Sequence, residues 1–273
     1  MLVLAAAVVV FFFLWGILIA LEPLIRGSVG HVAHFTTKLR FGDYLPVVVL
    51  LIVGAAVAMF AGDQFIDLAE LVHGKSPTLQ TIDGRWHDWA VSERTPGDTT
   101  FFAAMSVVGG PVVMGVVTGL AIAWFVVKKR YRWAIYLAVT AGGGSLLLVE
   151  LKNYFERARP ALAEMLRRAQ GYSFPSGHAM GATVVLGGLT YLAIRVLKTW
   201  KQKSAVIAFA ATFVLCVASS RVYLGVHWLS DIAAGLSAGL LWVMTTTTAY
   251  EVSRRVRMIR AIRDKRPTTP ASP

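Results

Sequence analysis

Charged residues are scarce in this chain. They make up 15% of its 273 residues, while hydrophobic residues make up 56% and the mean hydropathy is +0.61. A soluble domain of comparable size carries roughly 25% charged residues. This deficit, together with apolar runs close to the ~20 residues that cross a bilayer as a helix, predicts a polytopic membrane protein. The length suits one membrane domain with no separate soluble domain.

Cysteine is almost absent as well, because Cys216 is the single example and lies inside an apolar run. An intrachain disulfide framework is therefore excluded. The net charge of +12 does not indicate a nucleic-acid partner, since the cations lie in short loops and near the carboxyl end. No basic stripe with interleaved aromatic residues occurs either. We expect the lipid bilayer as the environment, no nucleic-acid partner and no obligate protein partner.

Seven apolar runs predict an all-α transmembrane helical bundle. The third run contains Gly109, Gly110 and Pro111, which predict a kink. The first run is compatible with a signal peptide, but it lacks a positively charged start and is long for the apolar core of one. A retained span with its amino end outside is therefore favoured. The runs are roughly Met1–Leu21, Tyr44–Gly62, Thr100–Val127, Trp133–Glu150, His178–Leu197, Ser204–Ser220 and Leu229–Tyr250.

The distribution of lysine and arginine predicts how the bundle is oriented. The loops at 128–132 and 198–203 and the stretch from Arg254 to Arg266 are rich in cations, and they alternate correctly as cytoplasmic segments. Residues 62–99 are acidic and predict interfacial helices on the opposite side, anchored by Trp86 and Trp89. Arg195 is expected to extend its side chain to the cytoplasmic interface. Cations before the second run, namely Arg26, Lys38 and Arg40, are expected on the cytoplasmic side.

Three short polar clusters interrupt the apolar sequence at predicted ends of spans. Because the fourth and sixth runs leave the membrane where the fifth and seventh enter it, all three clusters are predicted to meet on the extracytoplasmic face. Charged groups beside membrane spans usually have a functional role. The clusters are Lys152 with Arg159 and Pro160, then Pro175, Ser176, Gly177 and His178, then Ser220, Arg221, His227 and Asp231.

The histidines of these clusters suit phosphate chemistry. His227 and Asp231 are four residues apart, so on a helix the carboxylate can fix the imidazole tautomer and leave one nitrogen as a nucleophile. His178 lies at a predicted helix amino end, where Ser176 and Gly177 can present a hydroxyl and backbone N–H groups to an anion. There His178 can protonate a departing oxygen. Taken alone, each group also fits a plain structural reading: a helix-capping aspartate, or a histidine in a Pro-Ser-Gly turn.

The cations of the clusters are expected to clamp phosphate oxygens, because phosphoryl transfer is catalysed mainly by positioning and charge stabilisation. Lys152, Arg159 and Arg221 are assigned this role. Since these cations can supply what a metal would supply, we predict no metal and no other cofactor. The neighbouring Arg157, Arg167 and Arg168 are assigned instead to lipid headgroups, and His31, His34, His73 and His87 are too scattered in the sequence to form a metal set.

The spacing of the three clusters resembles the motifs of the type 2 phosphatidic acid phosphatase superfamily: Lys–six–Arg-Pro, Pro-Ser-Gly-His and Ser-Arg–five–His–three–Asp. The resemblance covers about the last half of the chain. It implies a six-helix phosphatase core, to which Met1–Leu21 adds one N-terminal helix. It also implies His227 as nucleophile, Asp231 as its partner and His178 as general acid, and leaves the role of Ser220 open. The implied phosphate contacts are Lys152, Arg159, Ser176, Gly177, His178 and Arg221.

The expected protein is an integral membrane lipid phosphatase of a bacterial-type plasma membrane, with a metal-independent site on the extracytoplasmic face. The resemblance implies a lipid phosphate or diphosphate substrate, such as undecaprenyl diphosphate, phosphatidic acid, phosphatidylglycerol phosphate or a lipid A phosphate. A lipid phosphotransferase and a non-catalytic lipid-phosphate binding or transport protein are the alternatives. The expected division is an N-terminal helix and cytoplasmic loop (1–43), the core (44–250) and a basic cytoplasmic tail (251–273).

Overall fold

The computed structural model describes residues 2–24, 45–161, 165–167 and 169–264. Predictions on Arg26, Lys38, Arg40 and Arg168, and those beyond residue 264, lie outside the described residues. Within them the regular structure is helical. The helices are α1 (Leu2–Ala20), α2 (Leu45–His73), α3 (Pro77–Ser92), α4 (Pro96–Val108), α5 (Pro111–Val127), α6 (Tyr131–Phe155), α7 (Gly177–Ile194), α8 (Trp200–Tyr223) and α9 (Leu229–Asp264).

Six of these helices are each long and apolar enough to cross a membrane, and α4 with α5 forms a seventh candidate span that is bent by 43°. The predicted all-helical, membrane-spanning architecture is confirmed, and so is the kink. Glycine is required at the bend, because a Cβ on Gly109 would lie 2.2 Å from Cγ2 of Val217 in α8. Pro111 then starts α5, where its missing N–H costs no helical hydrogen bond.

Two helices are longer than the sequence indicates. α2 was expected to end near Gly62 but continues to His73, so residues 62–73 are not a separate interfacial segment. The extension persists because no strong helix breaker occurs before Gly74, and Asp63 and Asp67 point to the exposed side. α9 continues past Tyr250 to Asp264 and crosses the expected 250/251 boundary without a break.

α3 is a short amphipathic helix whose buried face carries polar groups. The hydroxyl of Ser76 caps its amino end by accepting from the backbone N–H of Leu79. Leu79, Asp83, His87 and Ala90 are buried, and their spacing places them on one face. Trp86 and Trp89 are exposed, as an interfacial location requires. α3 therefore presents a buried carboxylate to the bundle.

α9 forms the centre of the bundle and packs against α2, α7 and α6, while α8 packs against α7, α4 and α1. At the end of the bundle that carries the basic loops, Glu251 of α9 accepts from Arg195 (2.6 Å) and from the Tyr191 hydroxyl (2.7 Å). The assignment of Arg195 to the membrane interface is therefore incomplete, because its guanidinium ties α7 to α9. At the same end, Trp200 Nε1 of α8 donates to the carbonyl of Leu18 in α1.

Candidate active site

The turn between α8 and α9 positions the first histidine. Gly225 adopts a positive φ of 72°, a conformation that glycine tolerates without strain. His227 follows, is 2% exposed, and places Nδ1 3.3 Å from Oδ2 of Asp231. The same carboxylate oxygen accepts from the backbone N–H of Trp228 at 3.0 Å, just before α9 begins at Leu229. Asp231 therefore both caps the helix and faces the imidazole, so the structural and the functional interpretation of this pair are compatible.

The hydrogen bonds of His227 define its tautomer. Arg159 Nη1 lies 3.0 Å from His227 Nε2. A guanidinium can only donate, so Nε2 must be the unprotonated nitrogen and the proton is on Nδ1, toward Asp231. Burial lowers the pKa of His227 to about 4; Arg159 and Arg221 add to this effect, and Asp231 opposes it. The imidazole is therefore neutral near pH 7, with its lone pair directed at a cation.

The amino end of α7 lies beside this turn. The backbone N–H of Ser176 donates to the carbonyl of Asp231 at 2.9 Å, which fixes the start of α7 against α9. Gly177 is the first residue of α7. It lies beside Lys152, since a Cβ added to Gly177 would be 3.7 Å from Cε of that lysine. His178 follows, close enough to Arg159, Arg221 and His227 for their charges to interact. The structure thus brings the second cluster onto the other two.

Arg221, at the end of α8, is 6% exposed and has an incomplete set of partners. Its Nη1 donates to the hydroxyl of Ser106 in α4. The backbone carbonyl of Ser106 lies beside the ring of His178. Among the described residues, Arg221 Nε and the buried Ser176 Oγ have no hydrogen-bond partner. Buried donors without partners are costly, and an anion's oxygens would satisfy them.

The other two cations contact the loop that precedes α7. Lys152 Nζ donates to the carbonyl of Tyr172 at 2.6 Å. Arg159 donates through Nε to the carbonyl of Gly171 at 2.9 Å and through Nη2 to that of Gln170 at 3.1 Å. Burial lowers the pKa of Arg159, which Asp231 partly offsets. Both side chains therefore bind backbone carbonyl oxygens of this loop.

The assignment of Arg157 to lipid headgroups is wrong. Its Nη1 donates to Asp231 Oδ1 and its Nη2 to Asp83 Oδ2, both at 2.7 Å. The prediction for Arg157 was wrong because it was based on the residues next to it in the sequence, whereas its two partners belong to α3 and α9. Arg167 is exposed, which leaves its assignment a prediction, and Arg168 lies outside the described residues.

Two further side chains at the site were missed from the sequence. The Ser173 hydroxyl donates to Asp231 Oδ2, and nothing in the sequence around it separates it from an ordinary loop serine. Asp83 did carry a usable pattern: it lies four residues after Leu79 and four before His87, on the apolar side of an amphipathic helix. A carboxylate in that position is buried, and buried carboxylates need a partner.

Ser220 has a local role, because its hydroxyl donates to the carbonyl of Val217 within α8 at 2.6 Å. Over the described part of the chain, no three His, Cys, Asp or Glu side chains come together to hold a metal ion. His31 and His34 lie outside that part. The independence from metals expected from the sequence stays a prediction.

Known proteins resemble this chain in sequence and in fold. The profile of the PAP2 superfamily matches residues 132–255. Phosphatidylglycerophosphatase B of Bacillus subtilis (strain 168) is 31% identical over 199 residues, which cover 71% of this chain and 94% of that protein. The crystal structure of a transmembrane PAP2-type phosphatidylglycerolphosphate phosphatase from Bacillus subtilis superposes with a TM-score of 0.65 at 28% identity, covering 71% of this chain and 96% of that one.

Proposed function

The chain belongs to the PAP2 superfamily, and from this premise we propose that it hydrolyses a membrane lipid phosphate or diphosphate through a phosphohistidine at His227. It is an integral membrane hydrolase acting on lipid phosphates. The observation that supports the phosphohistidine is the 3.0 Å contact of His227 Nε2 with the Arg159 guanidinium, because a group that can only donate leaves Nε2 as the acceptor with its lone pair. The nitrogen proposed to attack phosphorus therefore lies next to a cation proposed to bind the phosphoryl group.

The proposed reaction has two steps. In the first, Nε2 of His227 forms a bond to phosphorus, the bond from phosphorus to the lipid oxygen breaks, and His178 gives that oxygen a proton. In the second, His178 takes a proton from water, which attacks phosphorus and breaks the P–N bond. Inorganic phosphate leaves and His227 is regenerated. Lys152, Arg159 and Arg221 stabilise the charge on the phosphoryl oxygens in both steps.

The surroundings of the site support an amphiphilic substrate. A mainly apolar cavity of about 650 Å³ lies between α3, α8 and α9 and is lined by Trp89, Val222, Ile232 and Leu236 among others. Val222 and Ile232 belong to the helix ends that also carry Arg221 and Asp231, so the cavity extends to the end of the bundle that holds the proposed site and suits an acyl or prenyl chain. The name of the Bacillus relative makes phosphatidylglycerol phosphate the first candidate, ahead of phosphatidic acid and undecaprenyl diphosphate.

The proposed site faces the extracytoplasmic side of a bacterial-type plasma membrane. Successive helices alternate in direction, so the site residues at the ends of α6 and α8 share one end of the bundle. The basic loop at 128–130, Lys198 and the arginines of late α9 share the other end. Positively charged loops are retained on the cytoplasmic side, which supports the outward orientation.

The test uses purified protein in detergent with EDTA and a panel of the three lipid substrates. Wild-type protein is expected to release inorganic phosphate, and His227→Ala to lose at least about 10³-fold in kcat. The exposed His73→Ala is the matched control and should keep wild-type turnover. Quenching with ³²P-labelled lipid should trap an acid-labile, alkali-stable adduct in wild type and none in His227→Ala. Turnover by His227→Ala at the wild-type rate would eliminate the proposal.

A further inference from the structure

A chain of buried charges runs away from the site behind Asp231. Asp231 Oδ1 accepts from Arg157 Nη1, and Arg157 Nη2 donates to Asp83 Oδ2, each at 2.7 Å. The side chains of Asp231 and Asp83 are 0% and 2% exposed, and that of Arg157 is 15% exposed. One guanidinium is thus shared between two carboxylates, one in α9 and one in α3.

Asp83 also accepts hydrogen bonds from the first turn of α9. Its Oδ1 accepts from the backbone N–H of Ser230 at 2.9 Å, and its Oδ2 accepts from the Ser230 hydroxyl at 2.6 Å. Arg157 Nη1 donates to the same hydroxyl at 2.7 Å. The residue that follows Ser230 is Asp231. The carboxylate of α3 therefore fixes both the backbone that carries Asp231 and the guanidinium that binds it.

The sharing of Arg157 affects the charge that His227 faces. If Arg157 were bound to Asp231 alone, its full positive charge would draw the negative charge of that carboxylate toward the guanidinium. With Asp83 accepting from the other nitrogen, Arg157 is partly neutralised, and Asp231 keeps charge available on Oδ2 for the Nδ1 proton of His227. Substituting Asp83 with a neutral residue would leave the full positive charge of Arg157 on Asp231.

We propose that Asp83 is a positioning residue for the phosphoryl transfer: acting through Arg157 and Ser230, it holds Asp231 in the orientation that fixes the tautomer of His227. This inference rests on the proposed function. The sequence motifs of the family include neither Asp83 nor Arg157, and the pair joins α3 to the catalytic machinery. The competing account is that Asp83 only anchors α3 to the bundle.

A double-mutant cycle separates the two accounts. Asp83→Asn is expected to lower kcat roughly 10- to 100-fold with KM changed by less than about 2-fold, because phosphate contacts remain intact. In an Asp231→Asn background, the same change should cost less than about 2-fold, since its effect passes through Asp231. Asp88→Asn, on the exposed face of α3, is the matched control. Equal losses in both backgrounds, or an unchanged kcat, would overturn the inference.

A readout without turnover keeps the inference testable apart from the proposed function. In protein labelled with ¹⁵N-histidine, the Nδ1 proton of His227 should resonate upfield in Asp83→Asn, because its hydrogen bond to Asp231 weakens. It should stay in place in Asp88→Asn. If the resonance in Asp83→Asn stays at its wild-type position, the positioning role is refuted, even when the wild-type protein is active. If the resonance shifts but wild type releases phosphate from none of the lipids, the proposed function is refuted, while the part of the inference that Asp83 positions Asp231 against His227 is supported.

Discussion

At the scale of single residues, the ionisation of His227 is tied to folding. Burial lowers its pKa to about 4, whereas an unfolded histidine titrates near ~6.5. Between these values the unfolded chain binds more protons than the folded one, so this contribution to stability is complete above about pH 6.5 and is lost as the pH falls toward 4. The wild-type Tm should therefore drop more between pH 7.5 and pH 5 than the Tm of His227→Gln. Parallel profiles for the two proteins would contradict the burial of a neutral imidazole.

His178 allows a prediction that depends on the leaving group. An alkoxide leaves poorly without a proton, while the phosphate of a diphosphate leaves more easily. His178→Ala should therefore lower kcat on phosphatidic acid by roughly 10²- to 10⁴-fold and on undecaprenyl diphosphate by clearly less. The kcat ratio of the two substrates, measured for wild type and variant in one detergent, checks this. A loss of equal size on both substrates would argue against proton donation by His178.

The convergence of the motif residues on one end of the bundle was predictable, and so was the pairing of His227 with Asp231. Contacts between motif residues and residues outside the motifs were not. The alternation of helices alone brings Arg221, His178 and His227 to one end of the bundle. The contact of Arg157 with Asp83 needs α3 to lie against α9, and no local pattern in the sequence encodes that packing. The hydroxyl of Ser106 reaches Arg221 for the same reason, since it depends on how the bent span meets α8.

At the scale of elements, the crossing of α7 and α9 sets the position of the turn that is proposed to bind phosphate. A Cβ on Gly235 would lie 2.7 Å from the carbonyl of Ser176 and 3.2 Å from Cβ of Ala179. Backbone cannot yield as a side chain can, so Gly235→Ala should destabilise the protein by about 1–3 kcal/mol and displace the turn. Gly142→Ala, with open space around it, is the control and should leave both Tm and kcat near wild type. Equal behaviour of the two variants would refute the close crossing.

Element boundaries were the weakest part of the sequence prediction, and for a physical reason. Hydropathy marks where a helix meets water, whereas a helix ends where its hydrogen bonding is interrupted. α2 therefore continues through the acidic residues Asp63 and Asp67 to His73, and α9 continues through Arg254 and Arg255. The kink of the third span was predictable because glycine and proline act on the backbone directly.

At the scale of the whole molecule, the proposed outward orientation of the site gives a labelling prediction. Cys216 is the single cysteine, so a Cys216→Ser protein provides a clean background. Glu93 is exposed near the site end, where Arg94 bonds the carbonyl of Tyr223, and Lys201 is exposed at the opposite end of α8. A membrane-impermeant maleimide should label Glu93→Cys in intact cells and Lys201→Cys only after permeabilisation. The reverse pattern would place the site on the cytoplasmic side.

The helical, membrane-spanning architecture was accessible from sequence because apolar runs mark the spans. The placement of lysine and arginine predicts their direction across the membrane, and that direction stays a prediction. The direction of α1 fits this scheme: Trp15 Nε1 reaches the Ser204 hydroxyl at 3.0 Å near the start of α8, so the carboxyl end of α1 lies at the basic end. Headgroup preference is not encoded in this way, because it depends on the shape of cavities between helices.

The contacts of Lys152 and Arg159 with the loop at 170–172 bear on how tightly the protein can hold a phosphate. Each cation already binds peptide oxygens, so a phosphoryl group bound as proposed would replace these carbonyls as the acceptor. The net affinity is then the difference between two sets of hydrogen bonds, and that difference is small compared with either set. This exchange of acceptors would favour turnover, because the same carbonyls can bind the cations again and so help inorganic phosphate to dissociate after the lipid has left.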